Sequence, residues 1–212
     1  MKLVCISDTH QKEMSVPEAD ILIHAGDWSG SGTENETIRF LAWMSKIRHK
    51  FKKIVVTPGN HDRFVEANPV LAKEMFKAAD VDLLIDDGID FEGAKIYGSP
   101  WSPPFGRWAF MADDVKRQLA FNAVPDDTFI LVTHAPPFGQ LDQLGPYSSD
   151  PYKNAGCRAL LEAVIRVRPA VHIFGHIHEQ AGVRRYEETL LVNASHMDEE
   201  YRPTNRFVIV RI

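Results

Sequence analysis

Groups able to bind a metal ion stand at the points where this chain's apolar runs stop. Residues 3–7 lead into Asp8-Thr9-His10, 21–25 into Gly26-Asp27, and 54–57 through Pro58 into Gly59-Asn60-His61-Asp62. Residues 129–133 lead into His134, and 171–174 into Gly175-His176-Ile177-His178. Carboxylate, amide oxygen and imidazole without thiolate suit borderline or hard divalent ions such as Mn, Fe, Zn or Ni. Singly, a strand-end Asp, Asn or His is more often a cap or a turn residue. Their recurrence at one strand end after another points instead to a shared site, because open α/β sheets gather their ligands beyond the carboxyl ends of the strands. His61 adds a group that exchanges a proton near neutral pH, and Asp62 a carboxylate that can orient or bias that imidazole.

In order, Asp8-x-His10, Gly26-Asp27, Gly59-Asn60-His61-Asp62, His134 and Gly175-His176-x-His178 span nearly the whole chain. This arrangement resembles the calcineurin-like metallophosphoesterase superfamily. Gly98-Ser99-Pro100-Trp101, Thr133-His134-Ala135-Pro136-Pro137 and His178-Glu179 are further similar to its metallophosphoesterase-domain-containing subgroup, small cyclic-nucleotide phosphodiesterases. Some members of that subgroup carry glycine in place of His176; retention of the imidazole implies a complete second metal site.

The resemblance implies an α/β fold, a four-layer α/β/β/α sandwich of two mixed sheets with the metal site at the carboxyl ends of the strands. It implies one divalent ion on Asp8, His10, Asp27 and His178 and another on Asp27, Asn60, His134 and His176, with Asp27 bridging and manganese the leading candidate metal. The implied reaction is hydrolysis of a small phosphodiester, cyclic nucleotides among them, by in-line attack of a hydroxide between the ions. His61 would act as general acid, with Asp62 holding it oriented and protonated. A phosphomonoesterase or a nuclease on the same site stays open, as does a non-catalytic scaffold on the same fold. A phosphoprotein phosphatase fits less well, since Trp28-Ser29-Gly30 follows Gly26-Asp27 where that branch has Asp-Arg-Gly.

The elements that must carry these groups are legible in outline. With 212 residues, 44% of them hydrophobic, the chain suits a single domain spanning 1–212. A net charge of −5 without a basic stripe argues against a nucleic-acid partner and for a small substrate; the oligomeric state is not legible. Two distant cysteines, no leader-like amino terminus and no bilayer-length apolar run give the expectation of a cytoplasmic protein without membrane contact.

Thr33 with Glu36 forms a capping box ahead of a helix carrying Phe40, Leu41, Met44, Ile47 and Phe51. Asn68-Pro69 opens a second helix. Residues 83–85 and 95–98 read as a local antiparallel pair about the turn Asp86-Asp87-Gly88. Helices are expected over 112–121 and 156–167, further strands over 190–192 and 207–210, and a long loop over 139–154. The proline-rich segment 99–108 carries Trp101, Phe105 and Trp108, which could stack a flat group such as a nucleobase or pack into the core.

Overall fold

The computed structural model describes residues 1–146, 148–150 and 153–212. The first sheet has β1 (Lys2–Ile6), β2 (Ala19–His24), β3 (Phe51–Val56), β4 (Asp82–Leu83) and β11 (Val208–Arg211), in the order β11-β1-β2-β3-β4. The second contains β5 (Asp87–Phe91), β6 (Ala94–Ser99), β7 (Ile130–Thr133), β8 (Val171–Phe174), β9 (Gly182–Tyr186) and β10 (Thr189–Asn193), in the order β5-β6-β7-β8-β10-β9. Both are mixed: β11 runs antiparallel to β1, β5 to β6 and β9 to β10, while the central neighbours are parallel.

The unbroken apolar runs of the central strands follow from burial on both faces. In the first sheet Leu3, Cys5, Ile21, Ile23 and Val55 meet Ile96, Ile130, Val132, Val171 and Ile173 of the second, forming the middle of the sandwich. Val4, Ile6, Leu22, Ile54 and Val56 turn the other way, against Phe40, Met44 and Phe76. Those side chains come from α1 (Glu34–Ile47) and α3 (Pro69–Ala78). Leu131 and Tyr97 face α4 (Asp114–Asn122) and α5 (Arg158–Val167) through Phe121, Leu160, Ala163 and Val164. Helix, sheet, sheet, helix is therefore the layer order. Trp28, fully buried and stacked on Phe40 at 4.7 Å, anchors the α1 side; truncating such a side chain typically costs about 3–5 kcal/mol.

The α1 capping box forms, Thr33 Oγ1 accepting from the Glu36 N–H and the Glu36 carboxylate from the Thr33 N–H. Several expected boundaries move. Phe51 is not on α1: a 3-10 turn at Arg48–Lys50 ends the helix and Phe51 opens β3, buried in the same core. Residues 83–85 do not pair with 95–98. Instead Leu83 lies beside Val56 in the first sheet, and the hairpin joins β5 to β6 about Glu92-Gly93. A short helix α2 (Arg63–Ala67) and the strand β9 were not expected. Asn68 precedes Pro69 but makes no side-chain cap, donating to the Phe64 carbonyl instead. Helix α4 starts at Asp114 behind the Asp113 cap, and α5 at Arg158. Of the loop 139–154, residues 147, 151 and 152 lie outside the described residues. No helix among the described residues is long and apolar enough to cross a membrane.

Strand registers bring the loops together. Ile6 lies beside His24, and His24 beside Val56, so β1, β2 and β3 end level. The sheets meet at the same end, where Ser7 bridges Ser195, and within the second sheet the Gly175 N–H donates to the His134 carbonyl at 3.0 Å.

Candidate metal centre

Asp8, His10 and His178 converge, as do Asp27, His134 and His176; within each group the ligating atoms lie within 4.8 Å of one another. A third set, His10, Asp27 and His61, joins them. His178 Nε2 stands 3.3 Å from Asp8 Oδ1, His134 Nε2 3.3 Å from Asp27 Oδ2 and 2.9 Å from Asn60 Oδ1. All seven ligand positions expected from sequence thus lie at one sheet end: Asp8, His10, Asp27, Asn60, His134, His176 and His178.

The histidines share a device. Nδ1 of His10 donates to the Ser29 carbonyl, that of His134 to Ala25 and that of His178 to Asp198, each at 2.9 Å. A backbone carbonyl needs a donor, so the proton sits on Nδ1 and Nε2 is left free to act as a ligand, the arrangement that fixes tautomer and ring orientation at metal sites. The Nε2 of His10 and Oδ1 of Asp8 are buried and make no hydrogen bond within the protein. Buried polar atoms are rarely left so, and a divalent cation in the same space would satisfy both.

Backbone geometry carries a cost here. Asp8, His10, Asp27 and His176 have φ of 51°, 39°, 59° and 72°, a left-handed region that side chains other than glycine seldom adopt. Two glycines make the room. A Cβ on Gly59 would lie 2.3 Å from Asp27 Oδ1, and one on Gly175 2.0 Å from Asp8 Oδ2.

Burial alone would raise the carboxyl pKa of Asp8, but the neighbouring His178, with His134 and His10, holds it well below the usual carboxylate range. Asp27 is lowered in the same way, His134 outweighing burial. Burial opposes charge on His134, yet Asp27 pushes it up to about 9. His176 is driven down to about 3 by burial and by His134. Without an ion, His134 must therefore carry a proton between Asp27 and Asn60; a dication can take the place of that proton.

Around these positions the structure redistributes roles. His61 donates from Nδ1 to the Gly30 carbonyl at 2.5 Å, and its Nε2 lies 4.0 Å from Asp27 Oδ2. Asp62 was expected to orient that imidazole, but its carboxylate accepts the backbone N–H groups of Asp27 at 2.9 Å, Gly59 at 2.8 Å and Ser29 at 3.1 Å. It ties the two ligand loops together. Burial and the charge of Asp27 push Asp62 up to about 8, against those backbone donors.

Trp101 does not line the centre as a free platform: its indole N–H bonds Asp86 at 2.7 Å, Lys116 Nζ sits 3.4 Å over the ring, and it packs on Phe110. Phe105 and Trp108 do border the centre, 5.0 Å from the His176 ring and 4.2 Å from the His61 ring. Ser195 and Tyr201 were not singled out in the sequence. Ser195 Oγ donates to Asp8 Oδ2 at 2.8 Å, and Tyr201 lies edge-on to His10 at 4.9 Å. The strand end at 193–195 was the one signal available for Ser195.

Against known families, residues 1–180 match the calcineurin-like phosphoesterases. The chain belongs to this family. It is 37% identical over 228 residues to the UPF0046 protein K07C11.7 of Caenorhabditis elegans, covering 100% of this chain and 75% of that one. It is 32% identical over 234 residues to human metallophosphoesterase domain-containing protein 1, covering 99% and 70%. The crystal structure of TT1561 of Thermus thermophilus superposes with a TM-score of 0.64 at 11% identity, over 91% of this chain and 88% of that one, and shares the fold. As a calcineurin-like phosphoesterase, the chain is a metal-dependent hydrolase of phosphate esters, and its His and Asp clusters can hold divalent ions.

Proposed function

We propose that this phosphoesterase hydrolyses small phosphodiesters, cyclic nucleotides among them, using two divalent ions, one on Asp8, His10, Asp27 and His178 and the other on Asp27, Asn60, His134 and His176. The observation that carries this reading is the shared position of Asp27, grouped with His134 and His176 on one side and with His10, a member of the Asp8 group, on the other. Two ions held there would supply Lewis acidity to the phosphate oxygens and lower the pKa of a water. Manganese, iron, zinc and nickel all suit the donor set.

The protein's own groups then do the rest. Asp27 Oδ1 is fixed by the His61 N–H at 2.7 Å, and Asp8 Oδ2 by Ser195 Oγ and the His176 N–H, so each carboxylate keeps its second oxygen for the centre. His61 holds one proton on Nδ1 against Gly30, so the proton it can pass to a departing oxygen is on Nε2. An oxygen of the Asp27 carboxylate lies 4.0 Å from that nitrogen.

The test is a ratio. Protonation matters most for a poor leaving group such as a ribose hydroxyl and least for p-nitrophenolate. His61→Ala should keep its metals and slow a nucleoside diester far more than bis-p-nitrophenyl phosphate, a general acid being worth ~10²–10⁴-fold. Equal slowing of both would make His61 a phosphate-binding group, and loss of an ion would make it a ligand. Wild-type turnover of p-nitrophenyl phosphate or single-stranded DNA in preference to cyclic nucleotides would replace the substrate class.

A further inference from the structure

The loop after β10 crosses the metal centre and carries no ligand. It is closed at its base by His196 and Asn205: the Asn205 N–H donates to the His196 carbonyl at 3.0 Å, and His196 Nδ1 donates to the Asn205 carbonyl at 2.6 Å. The His196 N–H reaches the Ser7 carbonyl at 2.8 Å, which ties that base to the strand leading to Asp8. Within the loop, the Asp198 carboxylate accepts the N–H groups of Glu200 and Arg202, each at 2.9 Å, and the Arg202 Nε at 2.8 Å. The Asp198 carbonyl accepts from both Tyr201 N–H and His178 Nδ1, at 2.9 Å each. One carbonyl therefore fixes a ligand ring and the residue above it.

Tyr201 is what this scaffold presents. Its φ is 59°, a left-handed conformation that a large side chain avoids unless its surroundings impose it. Its ring lies 4.9 Å from His10, 5.1 Å from His178 and 6.4 Å from His61, in edge-to-face geometry, while the residue stays 53% exposed. On the other borders of the centre, Phe105 lies against His176 and Trp108 against His61. The ring is thus held between solvent and the Asp8 group of ligands.

We propose that Tyr201 is a specificity-determining residue, a fence over His10 and His178 that confines the substituents of a bound phosphodiester to the side of Phe105 and Trp108. The proposal rests on the phosphodiester reading and deepens it by naming what sets substrate size. Rigidity is the reason for a fence rather than a lid, since the loop is stitched at its base, within itself and to a ligand.

The test uses Tyr201→Gly and Tyr201→Phe in the full Mn-loaded chain. Glycine removes the ring and suits a positive φ; should Tyr201→Gly not fold, Tyr201→Asn, also tolerant of that conformation, takes its place. Calorimetric affinity for diphenyl phosphate relative to dimethyl phosphate reads the fence without turnover, and kcat/KM for bis-p-nitrophenyl phosphate relative to methyl p-nitrophenyl phosphate reads it in the reaction.

Tyr201→Gly should shift both ratios toward the bulky ester by about tenfold, the scale of a steric mismatch in a pocket, with metal content unchanged and Tyr201→Phe like the wild type. Unchanged ratios, a shift toward the small ester, or Tyr201→Phe matching Tyr201→Gly would overturn the fence. A wild type that binds both diesters and hydrolyses neither contradicts the phosphodiesterase reading alone, and the affinity ratio still tests Tyr201.

Discussion

The indole of Trp108 lies 4.2 Å from the imidazole of His61, the two rings inclined by 32°. The Arg63 guanidinium sits 4.5 Å over the same indole, and the Ala109 N–H donates to the Asn60 carbonyl at 3.1 Å. The proline-rich loop is thereby fastened to the loop that bears Asn60 and His61. Trp108→Ala should leave metal content unchanged and lower kcat on a nucleoside diester by roughly tenfold, through a less well-positioned imidazole. A change confined to KM would make Trp108 a substrate contact instead.

The other two aromatics of that loop should separate. Trp101, held by Asp86, Lys116 and Phe110, is structural, and Trp101→Ala should lower stability in urea denaturation, by less than the ~3–5 kcal/mol of a fully buried aromatic because the ring is only partly buried. Phe105 is 42% exposed beside His176. Phe105→Ala should spare stability and raise KM for a cyclic nucleotide several-fold, a lost stacking contact being worth ~1–3 kcal/mol at most. Equal behaviour of the two variants would count against this division.

Gly59 and Gly175 are required by space rather than by φ. Alanine at either position places a methyl group against Asp27 or Asp8 oxygen, at 2.3 and 2.0 Å. Gly59→Ala and Gly175→Ala should each lower bound metal measured by elemental analysis, and activity with it. Alanine variants with full metal content would show that the loops move aside freely.

Acid should destabilise the fold through His172. It is fully buried, its Nε2 2.8 Å from Thr133 Oγ1, and burial pushes its pKa from 6.5 down to about 3. Below pH 6.5 the unfolded chain takes up a proton that the native state refuses, so this contribution is complete above that pH and is lost as pH falls toward 3. The slope is ~1.4 kcal/mol per pH unit for one group. With metal chelated, urea denaturation at pH 7.5 and 5.5, values chosen about the ordinary histidine range, should show a steeper loss for wild type than for His172→Asn. Parallel losses would mean that the native imidazole accepts the proton.

The expected metal-binding positions could be read because each lies at most four residues beyond the end of a strand, and strand ends need only local pattern to be found. The roles of Asp62 and Ser195 could not, since they depend on which loop lies opposite: Asp62 meets backbone 35 residues away, and Ser195 reaches Asp8 across 187. Phe51 continues the helical spacing of α1 but is buried in the same core from β3, so periodicity alone could not show the break. β5 escaped notice as a half-exposed edge strand with little apolar alternation. The sandwich itself followed from family resemblance, and the double-sided burial of the central strands gives its physical reason.

The central claim, that catalysis takes two ions joined by Asp27, is tested most directly by adding Mn²⁺ stepwise to metal-free protein while counting bound ions and measuring hydrolysis of bis-p-nitrophenyl phosphate. Activity should follow the second equivalent bound and stay low at one ion per chain. Asp27→Asn should bind less metal and lose rate in proportion. Full activity at one ion per chain would contradict the account.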